Sequence, residues 1–213
     1  MTLENYIPKI LPVVQIGHVA LKTKCMTVQD TVENRKNLMD LLATQLSIKN
    51  SVGLAANQCN LLLNAFVGLI DDQSKLVINP VIKKGRNPYI SKEGCLSLPT
   101  LSVPVERFDL LEVEYLDENF RKQRRKLKGL PAAVFQHEKN HIDGITLADF
   151  LSDEHKSEVQ RQLSRIEKGE IQVLYSILLA DGTVIHPSPD PKSEPFIPSI
   201  LVQEGIEKLK SGL

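Results

Sequence analysis

Gln136-His137-Glu138-Lys139-Asn140-His141 is the stretch on which the fold turns. It is an HExxH element. On a helix, residues four apart stand on one face, so His137 and His141 can share a divalent metal. Glu138 lies about sixty degrees round the helix from His141, at ~100 degrees per residue. It can therefore reach a water on that metal without being a ligand itself. Charged helices also produce HExxH by chance, so the weight of the element depends on its surroundings.

Working outward, Gly129-Leu130-Pro131 introduces a helix over Pro131–Ile142, with Pro131 suited to the first turn, and Asp143-Gly144 stops it. Two further stretches stand upstream: Val52-Gly53-Leu54-Ala55-Ala56-Asn57-Gln58 and Glu93-Gly94-Cys95-Leu96-Ser97-Leu98-Pro99. Taken singly, each has a plain structural use. Gln58 can cap a turn, Cys95 can be a small buried hydrophobe, and Gly94 can serve a turn. Three such coincidences in one chain are a poor explanation of the pattern.

In order and spacing, the three motifs resemble those of peptide deformylases, and the likeness runs from about Ile10 to about Ile166. Val77-Ile78-Asn79-Pro80 is similar to the family's strand leading to the cysteine motif, and Val105-Glu106-Arg107 to the strand after it. The resemblance implies an α+β fold with antiparallel sheets around a central HExxH helix. It also implies hydrolysis of the formyl group from the initiator methionine of new polypeptides. Its metal ligands would be Cys95, His137 and His141, with a fourth position left for water. Glu138 would carry the proton, and the Gln58 amide with the Leu96 backbone N–H would stabilise the oxyanion. Gly53 and Gly94 would let the main chain approach an extended peptide, while Val52, Leu96 and Val134 would form a pocket for the methionine side chain. The implied metal is Fe²⁺, with Zn²⁺, Ni²⁺ or Co²⁺ as alternative occupants, since a thiolate donor suits softer ions than Mg²⁺ or Ca²⁺.

The chain departs from the family pattern at Ser51 and Thr100, where glycine is usual, and at Asn140, where aspartate is commoner. It also continues well past the point where a compact member stops. Residues 1–168 are expected to form the catalytic domain and 169–213 an extension holding a hairpin, a proline-rich linker and a short helix. The hairpin signal is Asp181-Gly182 between Ile171–Leu179 and Thr183–His186. Pro187, Pro189, Pro191 and Pro195 mark the linker, and Ile200–Lys210 the helix. All the groups implied in chemistry precede Ile142, so the extension is expected to be dispensable for catalysis while packing on the domain or on another subunit.

Elsewhere, Asp30 or Thr31 can cap a helix whose apolar stripe is Leu38, Leu41, Leu42 and Leu46. Strands are expected over Leu61–Ile70, Leu76–Ile82 and Leu110–Leu116, a helix over Leu151–Lys168, and an irregular arm over Ile10–Val28. Lysine plus arginine and aspartate plus glutamate both number 26, which argues against a general nucleic-acid-binding or membrane-surface protein. The run Arg121-Lys122-Gln123-Arg124-Arg125-Lys126-Leu127-Lys128 breaks that balance locally. It reads first as a solvated hairpin strand, and second as a ribosomal RNA contact. Three widely spaced cysteines, no secretory signal and no long apolar run point to the cytoplasm, with a mature organellar form as the alternative.

Two other functions use the same residues. A zinc endopeptidase of the HExxH type would take a histidine or carboxylate as third ligand, which leaves Cys95 and Gln58 without a purpose. A peptide-binding protein without turnover would have no need of Glu138.

Overall fold

The structure is a computed structural model describing residues 3, 5–187 and 210. Its framework is a five-stranded antiparallel sheet in the order β2-β3-β4-β5-β6: β2 Gly53–Ala55, β3 Ala65–Ile70, β4 Gln73–Cys95, β5 Leu98–Leu116 and β6 Lys122–Lys128. Helix α1 (Val32–Ser47) packs on one face of β2–β4, and α2 (Leu130–Ile142) lies against β2, β3, β5 and β6. The expected α+β class is the one observed.

The apolar run of β3 is explained by this sandwiching. Alternate residues divide between two cores: Ala65 and Val67 join Leu38, Leu41 and Leu42 of α1, while Phe66 and Ile70 join Phe135 of α2. Phe66 and Phe135 meet edge to face, with centroids 5.1 Å apart. A strand buried on both faces has no polar alternation to show.

Thr31, not Asp30, caps α1: its side chain accepts the Asn34 N–H at 3.2 Å. Asp30 instead grips the buried Arg35 guanidinium, at 2.6 and 2.8 Å. The strand expected over Leu61–Ile70 begins only at Ala65. Asn60 adopts a left-handed φ of 57°, and the Leu61 N–H closes the preceding turn on Ala56, so this apolar stretch packs as loop.

The larger difference is the length of β4 and β5, which run through the segments around Gly85, Asn87, Pro88 and Pro104. Partial pairing explains it. β3 covers only Gln73–Ile78 of β4 and β6 only Leu110–Leu116 of β5. Pro80, Pro88, Pro99 and Pro104 therefore fall where one strand edge is open, and a missing N–H costs no ladder bond there. Register shifts between Ile78 and Val81 and between Ile82 and Lys84 take up the remaining irregularity. At the first of these, Asn79 turns to φ 51° and its side chain exchanges hydrogen bonds with the Val28 backbone, at 2.8 and 2.9 Å.

α3 (Asp153–Glu167), capped by Ser152, lies along the β4–β5 turn. Its Gln162 donates to the Thr100 hydroxyl at 2.6 Å and carbonyl at 3.2 Å. Thr100 holds φ 69°, a conformation that a β-branched residue rarely adopts, which accounts for glycine being the easier choice there.

Beyond Gly169, the Asp181-Gly182 hairpin forms, but its strands are short: β7 is Ile177–Leu178 and β8 Val184–Ile185. Residues 171–176 are irregular rather than strand. β7 pairs in parallel with β1 (Val13–Val14), tying the N-terminal arm to the chain's later part. Apart from Lys210, the helix expected over Ile200–Lys210 lies outside the described residues, as do Pro189, Pro191 and Pro195. No helix among the described residues is long and apolar enough to cross a membrane.

Thr31→Ala removes the cap acceptor of α1 and should lower stability by about 1 kcal/mol, with Thr31→Ser close to neutral. Urea unfolding followed by circular dichroism checks this; equal midpoints for all three proteins would show that the cap contributes nothing.

Candidate metal centre

The C-terminal half of α2 carries the HExxH residues into the interior. Gln136 fixes the helix rotation by donating to the Phe108 carbonyl and accepting from the Phe108 N–H, both at 2.9 Å. His137 and His141 then face the end of β4, their ring centroids 5.0 Å apart. Cys95 closes β4 just before the tight turn to β5, and its Sγ lies 3.2 Å from His141 Nε2. The ligand atoms of Cys95, His137 and His141 all lie within 4.8 Å of one another. One thiol and two imidazoles at this spacing suit a divalent ion that tolerates sulfur.

Glu93 is the residue that sequence reasoning missed. It is buried beside the Cys95 motif, and its Oε2 stands 2.9 Å from His137 Nδ1, which leaves Nε2 of that ring for a metal. Arg107 grips both Glu93 oxygens, at 2.9 and 2.8 Å, and donates to the Asn140 side-chain oxygen at 2.5 Å. An amide oxygen at Asn140 suffices because Glu93 already balances the guanidinium charge. The available signal was a glutamate two residues from Cys95 and Arg107 in the stretch similar to the family's next strand. Spacing alone does not show that they meet.

Charges follow from this packing. Burial alone would raise the Glu93 carboxyl, yet Arg107 and His137 prevail and hold it at about 2. Burial likewise opposes the Cys95 thiolate, but the two imidazoles keep its pKa well below the thiol range. Burial lowers His137, while Cys95 and Glu93 outweigh it and lift the ring to about 10. A metal bound there would compete with a proton for this ring. Burial pushes Glu138 up to about 7 despite the attraction of His137 and His141. Its Oε2 is buried with no hydrogen-bond partner among the described residues. Gly53 explains how the carboxylate fits: a Cβ there would stand 2.4 Å from Glu138 Oε1.

Gln58 stands on the turn after β2. The Ala55 N–H donates to its Oε1 at 2.8 Å, so its Nε2 is directed at Ser97 Oγ, 3.1 Å away, and Cys95 Sγ, 3.5 Å away. Asn57, also missed from sequence, is fully buried and donates to the carbonyls of Ala20 and His141. It thereby ties the arm to the end of the α2 histidine turn.

These groups open into a cleft of about 1040 Å³, lined in part by Val52, Gly53, Gly94, Leu96 and Val134. Ser51 donates its hydroxyl to the Gly53 carbonyl at 3.0 Å, bracing the loop where glycine is usual. Val173, Leu174 and Tyr175, assigned from sequence to an extension apart from the chemistry, also line the cleft. Leu174 is 82 % exposed at its rim, while Ile177 and Leu179 are buried and Ile171 and Tyr175 pack against the core clusters.

Cys25 and Cys59 are buried, and burial pushes Cys25 up to about 12 and Cys59 higher still. After chelation, iodoacetamide should label Cys95 alone, and added Zn²⁺ should suppress that labelling. Equal labelling of all three thiols, or no protection by metal, would count against Cys95 as a ligand.

The polypeptide deformylase family model matches residues 10–157. The chain is 31% identical over 186 residues to the peptide deformylase of Christiangramia forsetii, covering 79% of this chain and 95% of the relative. It is 43% identical over 124 residues to that of Aquifex aeolicus, covering 54% and 72%. Among solved structures, the Thermus thermophilus peptide deformylase superposes with a TM-score of 0.69 at 33% identity, covering 76% of this chain and 100% of that one. With a matching fold, a matching family model and the motif residues gathered in one cleft, this chain belongs to the peptide deformylase family.

Proposed function

We propose that this chain removes the formyl group from N-formylmethionyl polypeptides, releasing formate, with Cys95, His137 and His141 holding a ferrous ion. The observation that carries the reading is the convergence of these three donor groups beside Glu138 and the Gln58 amide at one end of the cleft. Peptide deformylases are metalloenzymes, and a bound divalent ion would lower the pKa of a water from ~15.7 to about 7 and polarise the formyl oxygen.

The residues divide the remaining work. Glu138, raised to about 7 by burial, accepts a proton from the attacking water near neutral pH and returns it to the departing amine. As the formyl carbon becomes tetrahedral, its oxygen gains negative charge. Gln58 Nε2, held in place by its Oε1 contact with Ala55, donates to that oxygen together with the Leu96 N–H. Val52 and Val134 enclose the methionine side chain, and Gly53 and Gly94 admit an extended peptide backbone. Glu93 and Arg107 keep His137 in the orientation a metal requires.

Glu138→Gln keeps the shape of the side chain but cannot carry the proton. It should retain fold and metal while losing at least about 10²-fold in kcat. The check is formate release from formyl-Met-Ala-Ser with the Fe²⁺ enzyme protected from oxygen. Near-normal turnover at full metal content would remove Glu138 from this role. Internal peptide cleavage without formate would favour an endopeptidase.

The proposed setting is the cytoplasm, where the basic strand β6 would meet ribosomal RNA. Lys122, Arg124, Lys126 and Lys128 are all exposed, and Glu114 pairs with only the first two. Co-sedimentation with ribosomes should fall with added salt and weaken in Lys126→Glu/Lys128→Glu. Equal sedimentation of the variant would discard this contact.

A further inference from the structure

Leu96 and Ser97 form a two-residue turn between β4 and β5, immediately after Cys95. A turn this short cannot satisfy all of its own backbone groups, so the direction of each peptide depends on partners outside it. For the Leu96 carbonyl those partners are specific. Tyr175 donates its hydroxyl to it at 2.8 Å, and Gln15 donates through Nε2 at 3.2 Å.

The two donors belong to one assembly. Gln15 follows β1, is almost wholly buried, and gives its backbone N–H to the Leu178 carbonyl at 2.9 Å. Tyr175 lies just ahead of β7, which pairs in parallel with β1. Ser97 is held as well: its carbonyl accepts the Ile16 N–H at 3.0 Å, and its hydroxyl accepts from Gln58 at 3.1 Å. The β1–β7 pair thus grips the turn from behind, while Gln58 reaches it from the cleft side.

We propose that Tyr175 is a positioning residue for deformylation: its hydroxyl fixes the Leu96 turn so that the Leu96 N–H points at the oxygen that becomes negative. This rests on the function proposed above, in which that N–H is an oxyanion donor. Cys95 is anchored on one side of Leu96 by its strand pairing with Leu98. Fixing the Leu96 carbonyl on the other side leaves the residue little freedom to rotate, so its N–H is directed before substrate arrives. Pre-set donors are effective because they need no reorganisation as charge develops. The segment holding Tyr175 lies beyond residue 157, where the family match ends, yet it lines the cleft. On this view the chain's later part serves the chemistry.

The test is Tyr175→Phe, which deletes the hydroxyl and keeps the ring packed on the core. With formyl-Met-Ala-Ser and the Fe²⁺ enzyme, kcat should fall about 10-fold, less than the ~10²–10³-fold expected when a donor is lost outright. KM should stay within about twofold of the wild type, because the contact strengthens only as charge develops. Metal content should be unchanged. In the Zn²⁺-loaded protein, the Ser97 amide nitrogen shift, which reports hydrogen bonding at the preceding carbonyl, should move. An unchanged kcat beside formate release by the wild type would overturn the role of Tyr175 alone. So would a rise in KM with kcat intact, which would make Tyr175 a peptide contact, or a loss of metal, which would trace the effect to site assembly. A wild type that releases no formate would overturn the functional reading, and this proposal with it.

Discussion

The buried ion pair between Glu93 and Arg107 is the constraint on which the rest of the site depends. It joins β4 to β5 at the point where the sheet carries Cys95, and through His137 and Asn140 it joins both strands to α2. Two charges taken out of water are tolerable only when each finds several partners, and here they do. The guanidinium serves two strands and a helix, and the carboxylate serves a guanidinium and an imidazole. Removing either partner would leave the other charge buried and unbalanced, a loss of typically ~3–5 kcal/mol. Specificity of geometry is what the pair supplies: it sets the distance between the cysteine strand and the histidine helix.

Once that distance is set, electrostatics in the cleft follow from burial and neighbours. Glu93 and Glu138 are both buried carboxylates at the lining of one cleft, yet they are driven in opposite directions. Glu93 has a guanidinium in contact and stays ionised, at about 2. Glu138 has no cation in hydrogen-bond contact among the described residues, and burial carries it to about 7. One is thereby suited to holding a histidine and the other to exchanging a proton, although the side chains are chemically alike. Gly53 is part of this division, since any side chain there would occupy the space of the Glu138 carboxylate.

The β1–β7 pairing brings the C-terminal part of the described chain to the cleft. Val173, Leu174 and Tyr175 line the cleft, and the Tyr175 hydroxyl reaches the Leu96 carbonyl. The three departures from the family pattern are each met locally. Ser51 bonds Gly53, Thr100 is held by Gln162, and Asn140 accepts from Arg107. In each case a neighbouring polar side chain or carbonyl stands where the substituted group can use it.

The sequence by itself determined the motif residues and the helix that carries the two histidines, because HExxH on one helical turn is a local pattern. It also determined α1, α2, α3 and the Asp181-Gly182 hairpin, whose caps and turn residues act over a few positions. Tertiary structure alone decided the continuity of β4 and β5, since whether Pro88 or Pro104 breaks a strand depends on which edge is paired. It decided that Leu61–Asn64 is loop, and that Thr31 rather than Asp30 is the cap, because Asp30 is drawn to Arg35. It also decided Glu93, Asn57 and Tyr175. Their partners are 14 positions away for Arg107, 84 for His141 and 79 for Leu96, and no periodicity of helix or strand connects residues so far apart. Such contacts exist only once the sheet, α2 and the β1–β7 pair have been brought together.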